Sequence, residues 1–398
     1  MRVAIVSDLF LPHMGGLEVV VDRIATEYVK MGIDVAVFTF DTKYLNGDYK
    51  APYKIYRTQY PSIKHRVASH KKILLQLEEF HPDIIHAHTQ EILGFWASVF
   101  AKKNRIPFVA TVHTWTSYVK EKDSPFRNNT TFHKMYMRKR NHLPIMTCHN
   151  AKIITAVSFS ASKNEVHDSY GEKRYIYVIR NGFDRDKIED IKEKIDIASG
   201  QVNRDSSKIN MCFAGRLVEE KNLVFSLRVC KKLQDSNTPY SFSIAGDGPD
   251  AKTFKLLSQK LGVASNVRFT GRLDFNSLVR FYLNNDLLLF PSLFDCDSIT
   301  GIESRLCGLP TLCIKGTGTS ERVKNGINGF VLDNDIDSFT NKIKELFYLK
   351  RFKKNQFASL INSTKNERVE TWEEVALKYY DIYNMLLEEK NREIISYG

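Results

Sequence analysis

The stretch RVAIVSDLFLPHMGGLEVVVDRIATEYVKMGIDVAVFTF, residues 2–40, decides the fold class. Arg2 to Ser7 is a short apolar run, and Pro12 to Gly16 is a cluster of breakers. Leu17 to Met31 then places apolar residues at helical spacing until Gly32 stops it, and Asp34 to Phe40 is a second apolar strand. Strand, loop, helix and strand in that order predict an α/β domain.

The same alternation returns at 83–88, 107–113, 152–156 and 175–179, with helical stretches between. Strands that read as continuous apolar runs are buried on both faces, which implies a parallel sheet covered by helices. Near Arg185 the pattern gives way to a charged run and then to the polar stretch Ser199 to Lys208, where a linker is expected. A second α/β series begins at Ile209 to Ala214 and continues at 241–245, 267–270, 287–290 and 310–314. After Glu367 one long helical pattern carries Trp372, Val375, Tyr379, Ile382 and Leu386 along a single stripe, which needs a surface to cover. The expected organisation is two Rossmann-like, doubly wound domains, 1–190 and 191–369, with helix 370–398 returning to the first. Two cores also suit a chain of 398 residues. Ligands of open α/β sheets bind at the carboxyl ends of the strands, so functional residues are expected after strands in both halves, in a cleft where the domains face one another.

Composition narrows the class. At 43% apolar and 26% charged residues the chain is globular, without low-complexity segments. Six cysteines at 148, 212, 230, 296, 307 and 313 form no Cys-x-x-Cys pair, so spacing suggests neither a zinc site nor a disulfide framework, and a reducing compartment fits. Asp8, His13 and Glu18 follow the apolar start too closely for a signal peptide or a membrane span, which predicts a cytoplasmic protein and makes the sequons at Asn128, Asn129 and Asn362 chance triplets. The net charge is +12, and residues 102–140 hold ten Lys or Arg against Glu121 and Asp123. That run reads either as a solvated face or as a surface drawn to anionic lipid, at about 1 kcal/mol per cation. No base-stacking module or recognition helix accompanies it, so nucleic acid is not the expected partner. Nothing in the sequence fixes an oligomeric state.

Four stretches could carry chemistry. Gly15-Gly16, between the first strand and helix, is either a tight turn or a close approach of backbone to a ligand at a helix start. His113 ends an apolar strand and reads as a packed histidine or as a donor to a substrate hydroxyl. Arg216 and Lys221 flank a strand-to-helix turn, placed to clamp a diphosphate, with surface ion pairs to Glu219 and Glu220 as the alternative. Finally, Asp295 and Glu303 straddle a loop-to-helix boundary. Backbone N–H groups of Ser298, Ile299 and Thr300 would meet phosphate there and Glu303 would accept from two ribose hydroxyls, unless the acids merely face solvent at a helix start.

The run from Pro291-Ser292 through Asp295 and Glu303 to Gly308-Leu309-Pro310 resembles the mark of the retaining glycosyltransferases of family 4: Pro-Ser-x-x-Glu-x7-Glu, then Ala-x-x-x-Gly-x-Pro. The resemblance extends over nearly the whole chain. It takes in Gly15-Gly16, Pro82 to His86, His113, Ser158, Asn181-Gly182, Gly215 to Lys221, Gly246 to Pro249, Gly271 and Asn325 to Phe330. This sequence departs from the family at Asp295, where a glutamate is usual, at Ser298, usually glycine, and at Ser304, usually alanine. The resemblance implies the two-domain GT-B fold and transfer of a hexose from a nucleotide diphosphate sugar, a UDP-sugar by expectation, with retention and without an essential metal or other cofactor. It implies that Arg216, Lys221 and the helix start at Ser298 to Thr300 stabilise the departing diphosphate. Backbone near Gly271, Arg272 and Leu273 would contact the base, Asp295 would hold donor-sugar hydroxyls, and His113 with Gly15-Gly16 would orient donor sugar and acceptor. Pro107 to Thr114 with Tyr118, followed by a basic aromatic region, is similar to members that glycosylate membrane lipids. That implies a lipid or lipid-linked acceptor and peripheral contact with the inner face of the cell membrane. Two rivals stand beside this reading: a non-catalytic sugar-nucleotide-binding subunit, and a GT-B epimerase or glucan phosphorylase.

Overall fold

The structure is a computed structural model, and it describes residues 1–13, 15–41, 49–61, 66–113, 142–163, 176–199, 205 and 207–397. Met14, Tyr118, the sequons at 128 and 129, and all of the basic region beyond residue 113 lie outside the described residues. The chain divides into two compact units. Met1–Gly182 with Glu370–Gly398 forms the first and Phe183–Val369 the second.

The first unit is built on a parallel sheet of seven strands in the order β3-β2-β1-β4-β5-β6-β7. These are β1 Arg2–Val6, β2 Asp34–Asp41, β3 Lys54–Gln59, β4 Ile84–Ala87, β5 Phe108–Val112, β6 Ile153–Ala156 and β7 Ile176–Val178. Strand β1 lies between β2 and β4, with Val3 opposite Val35 on one side and Ile84 on the other. Its residues Val3 to Val6 are fully buried, as a strand covered on both faces must be. The edge strand β3 was not expected from the sequence. Its run Lys-Ile-Tyr-Arg-Thr-Gln buries only Tyr56 and Thr58, so it shows weak alternation rather than an apolar block.

The second unit holds six parallel strands in the order β10-β9-β8-β11-β12-β13. They are β8 Ile209–Ala214, β9 Tyr240–Ala245, β10 Val267–Gly271, β11 Leu287–Phe290, β12 Thr311–Ile314 and β13 Gly329–Leu332. Strands β8 and β11, at the middle, are wholly buried. The outer strand β13 was also missed by the sequence pattern. The asparagine-rich turn before it is structural: Asn325 Oδ1 accepts from Val331 N–H at 2.7 Å, and Asn328 Oδ1 from Lys324 N–H at 2.6 Å.

Residues 183–190, expected in the first domain, belong to the second unit, and the expected linker is in large part a helix, Arg185–Ser199. Ile188 and Ile195 in it are buried with the second core, and Ile191 packs against them. The spacing of these isoleucines is helical, but the charges between them hid it. The chain returns to the first unit at Glu370, where the helix Trp372–Tyr397 lays down the expected stripe: Trp372, Val375, Tyr379, Ile382 and Leu386 are all buried, with Ala376 and Tyr383. Against it packs the helix Gly16–Lys30, whose Tyr28 donates a hydrogen bond to the Tyr383 hydroxyl at 3.1 Å. Replacing the buried Tyr379 by Ala should lower the unfolding free energy of the first unit by about 3–5 kcal/mol. Chemical denaturation of the full chain would show this as an earlier first-unit transition with the second unchanged.

Candidate active site

In each sheet the strand order reverses once, between β1 and β4 and between β8 and β11, and the loops at the carboxyl ends of those strands are where an open α/β sheet binds its ligand. On the second unit these loops are locked to one another by backbone hydrogen bonds. Gly215 N–H donates to Ala245 O at 3.0 Å, Gly246 N–H to Gly271 O at 2.8 Å, Leu217 N–H to Asp247 O at 2.9 Å and Leu293 N–H to Glu220 O at 3.1 Å. A Cβ added at Gly246 would stand 1.9 Å from Gly215 O, and its φ of +133° lies where side chains are disfavoured. Only glycine allows the β8 and β9 loops to sit this close.

Arg216 and Lys221 occupy the loop after β8. Arg216 is exposed, and Lys221 is half-buried with Nζ 5.4 Å from the Phe290 ring centroid. Neither pairs with Glu219, Glu220 or any other carboxylate among the described residues, so the surface-ion-pair alternative fails. Two cations without an ion pair among the described residues thus border the loops at the strand reversal.

The loop after β11 carries the acids. Ser298 is the N-cap of the helix Ile299–Leu306, its Oγ accepting from Gly301 N–H at 3.3 Å, and Ile302 N–H bonds to Ser298 O. The serine that replaces the usual glycine therefore closes the Gly301 N–H and leaves those of Ile299 and Thr300, which the helix itself does not pair. Asp295 accepts from the Thr319 hydroxyl and, through its backbone carbonyl, from Gly318 N–H. Burial pushes its carboxyl above the ordinary range, against the opposing pull of Lys221 and the Thr319 hydrogen bond. The next acid, Asp297, is neutralised by Arg322 at 2.5 and 2.7 Å and is unavailable to ligand. Glu303 stands one turn into the helix, 3.4 Å from the Tyr282 hydroxyl, and burial raises its pKa to about 7, with the tyrosine hydrogen bond opposing. The remaining expected donor-site residues are Gly271 and Arg272, exposed at the end of β10, and Leu273, packed on the core.

In the first unit Gly15 is the N-cap of the helix Gly16–Lys30 and Gly16 is exposed with open space around it. A side chain at Gly15 would collide with the carboxylate of Glu18, which holds His13 Nδ1 at 2.8 Å. His113 follows β5, and its Nε2 bonds to His88 Nδ1 at 2.8 Å. The His88 ring lies tilted against that of His86, whose nitrogens are taken by the Tyr383 hydroxyl at 2.5 Å and Thr111 Oγ1 at 2.6 Å. Burial lowers the pKa of His86 and of His113 to about 3, and that of His88 well below the ordinary imidazole range. All three are neutral imidazoles. At the end of β1, Asp8 Oδ1 caps the helix Ile92–Lys103 through Leu93 N–H at 2.8 Å, while burial raises the pKa of this carboxyl to about 7. The sequence reading passed over Asp8, His88, Tyr282 and Thr319. Only His88 had a legible signal, since it shares a strand face with His86. Among the described residues no group of His, Cys, Asp and Glu side chains is placed to hold a metal ion.

Residues 14–187 match the model of Glycosyltransferase Family 4, and residues 194–359 match that of Glycosyl transferases group 1. These span most of the chain, which belongs to glycosyltransferase family 4. A GDP-mannose-dependent alpha-mannosyltransferase of Corynebacterium glutamicum is 26% identical over 84% of this chain and 77% of its own length. The alpha-monoglucosyldiacylglycerol synthase of Acholeplasma laidlawii is 23% identical over 87% and 86%. Among solved structures, Anabaena HepE in complex with UDP and glucose superposes with a TM-score of 0.71 at 17% identity, over 96% of this chain and 99% of that one. WaaG, a glycosyltransferase involved in lipopolysaccharide biosynthesis, does so at 0.72 and 17%, with the same coverage. The fold is therefore GT-B, and the protein is a glycosyltransferase.

Glu303 generates a pH prediction. Its folded pKa of about 7 exceeds the ordinary 4.5, so the folded chain holds a proton that the unfolded chain has lost between those values. This group's contribution to stability falls as pH rises through that window, and Glu303→Gln removes the slope. If the carboxylate accepts ribose hydroxyls, nucleotide affinity should rise as pH increases through about 7, and titration calorimetry with UDP should find that dependence absent in the Gln variant.

Proposed function

We propose that the chain transfers a hexose, with retention of anomeric configuration, from a UDP-sugar to a lipid or lipid-linked acceptor. The observation that carries this is the second unit's rim, where Arg216 and Lys221 form no ion pair among the described residues and stand on the loop after β8, with the capped helix Ile299–Leu306 following β11. An unpaired cation at a strand end is stabilised by an anionic ligand, and the charge that grows on a departing diphosphate is such an anion. Glu303 holds the ribose hydroxyls, the backbone of Gly271 to Leu273 meets the base, and the carboxylate oxygen that Asp295 does not give to Thr319 takes a sugar hydroxyl. With two cations and a helix N-terminus on the diphosphate, the reaction needs no metal. In the first unit, His113 and the Gly15-Gly16 loop orient donor sugar and acceptor.

The reaction that fits these groups is front-face displacement. The bond from the anomeric carbon to the diphosphate oxygen breaks, the acceptor oxygen bonds on the same face, and the acceptor proton passes to the leaving phosphate. Asp295 and Glu303 both lie in the second unit, one engaged by Thr319 and the other with its pKa raised by burial to about 7. Neither has the setting of a glycosidase-type nucleophile.

The lipid acceptor is supported by the glucosyldiacylglycerol synthases among the relatives and by the ten cations within residues 102–140, which would bring the protein to the cytoplasmic face of an anionic membrane. No helix among the described residues is long and apolar enough to cross a membrane. Intact Arg216 and Lys221 argue against a non-catalytic subunit with a decayed donor site.

Lys221→Ala should reduce transfer by about 100-fold or more while the fold persists, as read by product release and circular dichroism. A screen of UDP-, GDP- and ADP-sugars with and without lipid extract, in the presence of chelator, should give a glycosylated lipid from a UDP donor at an undiminished rate. Activity confined to GDP-sugars would overturn the donor assignment, and a collapse in chelator the metal-free mechanism.

A further inference from the structure

The first unit carries a polar cluster whose internal hydrogen bonding fixes more than its composition suggests. The rings of His86 and His88 lie 4.1 Å apart, and those of His88 and His113 5.0 Å apart. Tyr379 and Tyr383 of the C-terminal helix close the far side, against His86 at 4.9 and 5.7 Å. His86 has both nitrogens bonded, and His88 and His113 share the Nδ1 to Nε2 bond. Two ring nitrogens remain. His88 Nε2 is sealed in the interior without a partner, whereas His113 Nδ1 makes no hydrogen bond to the described residues and its ring is only partly buried.

A neutral imidazole has one N–H and one bare nitrogen. The single proton between His88 and His113 can be placed in two ways. If His113 donated it from Nε2, His88 would carry its own proton on Nε2 and bury an N–H with nothing to bond. If His88 donates it from Nδ1, the sealed Nε2 is a bare acceptor. Orphaned buried N–H groups are rarer in proteins than under-satisfied acceptors, which decides for the second placement. Accepting at Nε2, His113 then bears its proton on Nδ1.

We propose that His88 is a positioning residue that donates from Nδ1 to His113 Nε2 and so holds His113 as the Nδ1–H tautomer, making the end of β5 a neutral hydrogen-bond donor to an oxygen of the bound sugar or acceptor. The catalytic part of this rests on the transferase reading above; the tautomer does not. A ring fixed this way has no basic nitrogen to offer substrate, which agrees with the leaving phosphate taking the acceptor proton. It also gives the C-terminal helix a function at a distance. Tyr383 fixes His86, and His86 supports the ring that sets His113.

The full-length chain labelled with ¹⁵N-histidine tests this by long-range ¹H–¹⁵N correlation, with signals assigned from His88→Asn and His113→Asn spectra. Near neutral pH both His88 and His113 should show a protonated Nδ1 and a bare Nε2. A protonated Nε2 on either ring overturns the tautomer assignment. His88→Leu, which removes the donor, should lower kcat about tenfold, the equivalent of one hydrogen bond, with the donor KM little changed. His88→Asn keeps an N–H donor in place of Nδ1–H and should restore most of the rate. Full activity in His88→Leu overturns the positioning role. Nδ1–H spectra from a chain inactive with every donor would instead count against the transferase reading.

Discussion

Where the loops after β8 and β9 meet, at Gly246, there is no room for a side chain. Gly215 N–H bonds to the last carbonyl of β9, Gly246 N–H to the last carbonyl of β10, and the Cα of Gly246 faces the Gly215 carbonyl. That contact holds the β8 loop in a fixed course, and the loop's further bond from Leu293 N–H to Glu220 O fixes the start of the β11 loop in turn. Everything the second unit offers a ligand hangs from this chain of backbone bonds: the cations after β8, the acids after β11 and the capped helix beyond them. Rigid backbone supports are what allow a cation to stand without a partner until a ligand arrives.

Charge on this rim is sorted rather than cancelled. Asp297 and Arg322 neutralise one another in the interior, as do Arg305 and Glu367 on the other side of the helix Ile299–Leu306, where Arg305 Nε meets Glu367 at 2.6 Å. Arg216 and Lys221 form no ion pair among the described residues. Burial raises the pKa of both Asp295 and Glu303, and Lys221 opposes that shift at Asp295 without forming an ion pair with it. The first unit follows a different logic. There the polar groups are neutral, and what they supply is direction: each histidine is oriented by the one behind it and the last of them by a tyrosine of the C-terminal helix.

The central strands were legible because burial on both faces turns them into unbroken apolar runs, as in Val3 to Val6 and Leu287 to Phe290. Lys54–Gln59 was not, because its outward positions are polar, and Gly329–Leu332 was not, because a four-residue strand following an asparagine-rich turn is too short to show a period. The helix Arg185–Ser199 was lost beneath its own charge, since three isoleucines suffice for one buried face and leave the rest to solvent. Among site residues, those following the central strands could be placed from order alone. Asp8, Tyr282 and Thr319 could not, because each acts through a neighbour distant in sequence: Thr89 and Leu93, Glu303, and Asp295.

By itself the sequence determined the class of fold, the two series of strands, the covering stripe of the last helix and the positions where ligand-binding residues stand, since these follow from periodicities carried by adjacent residues. Tertiary structure alone decided the protonation of Glu303, the freedom of Arg216 and Lys221 from the glutamates beside them, and the hydrogen bond that joins His88 to His113. Those properties depend on desolvation and on distances between groups far apart in the chain, quantities that exist only once the sheets have formed.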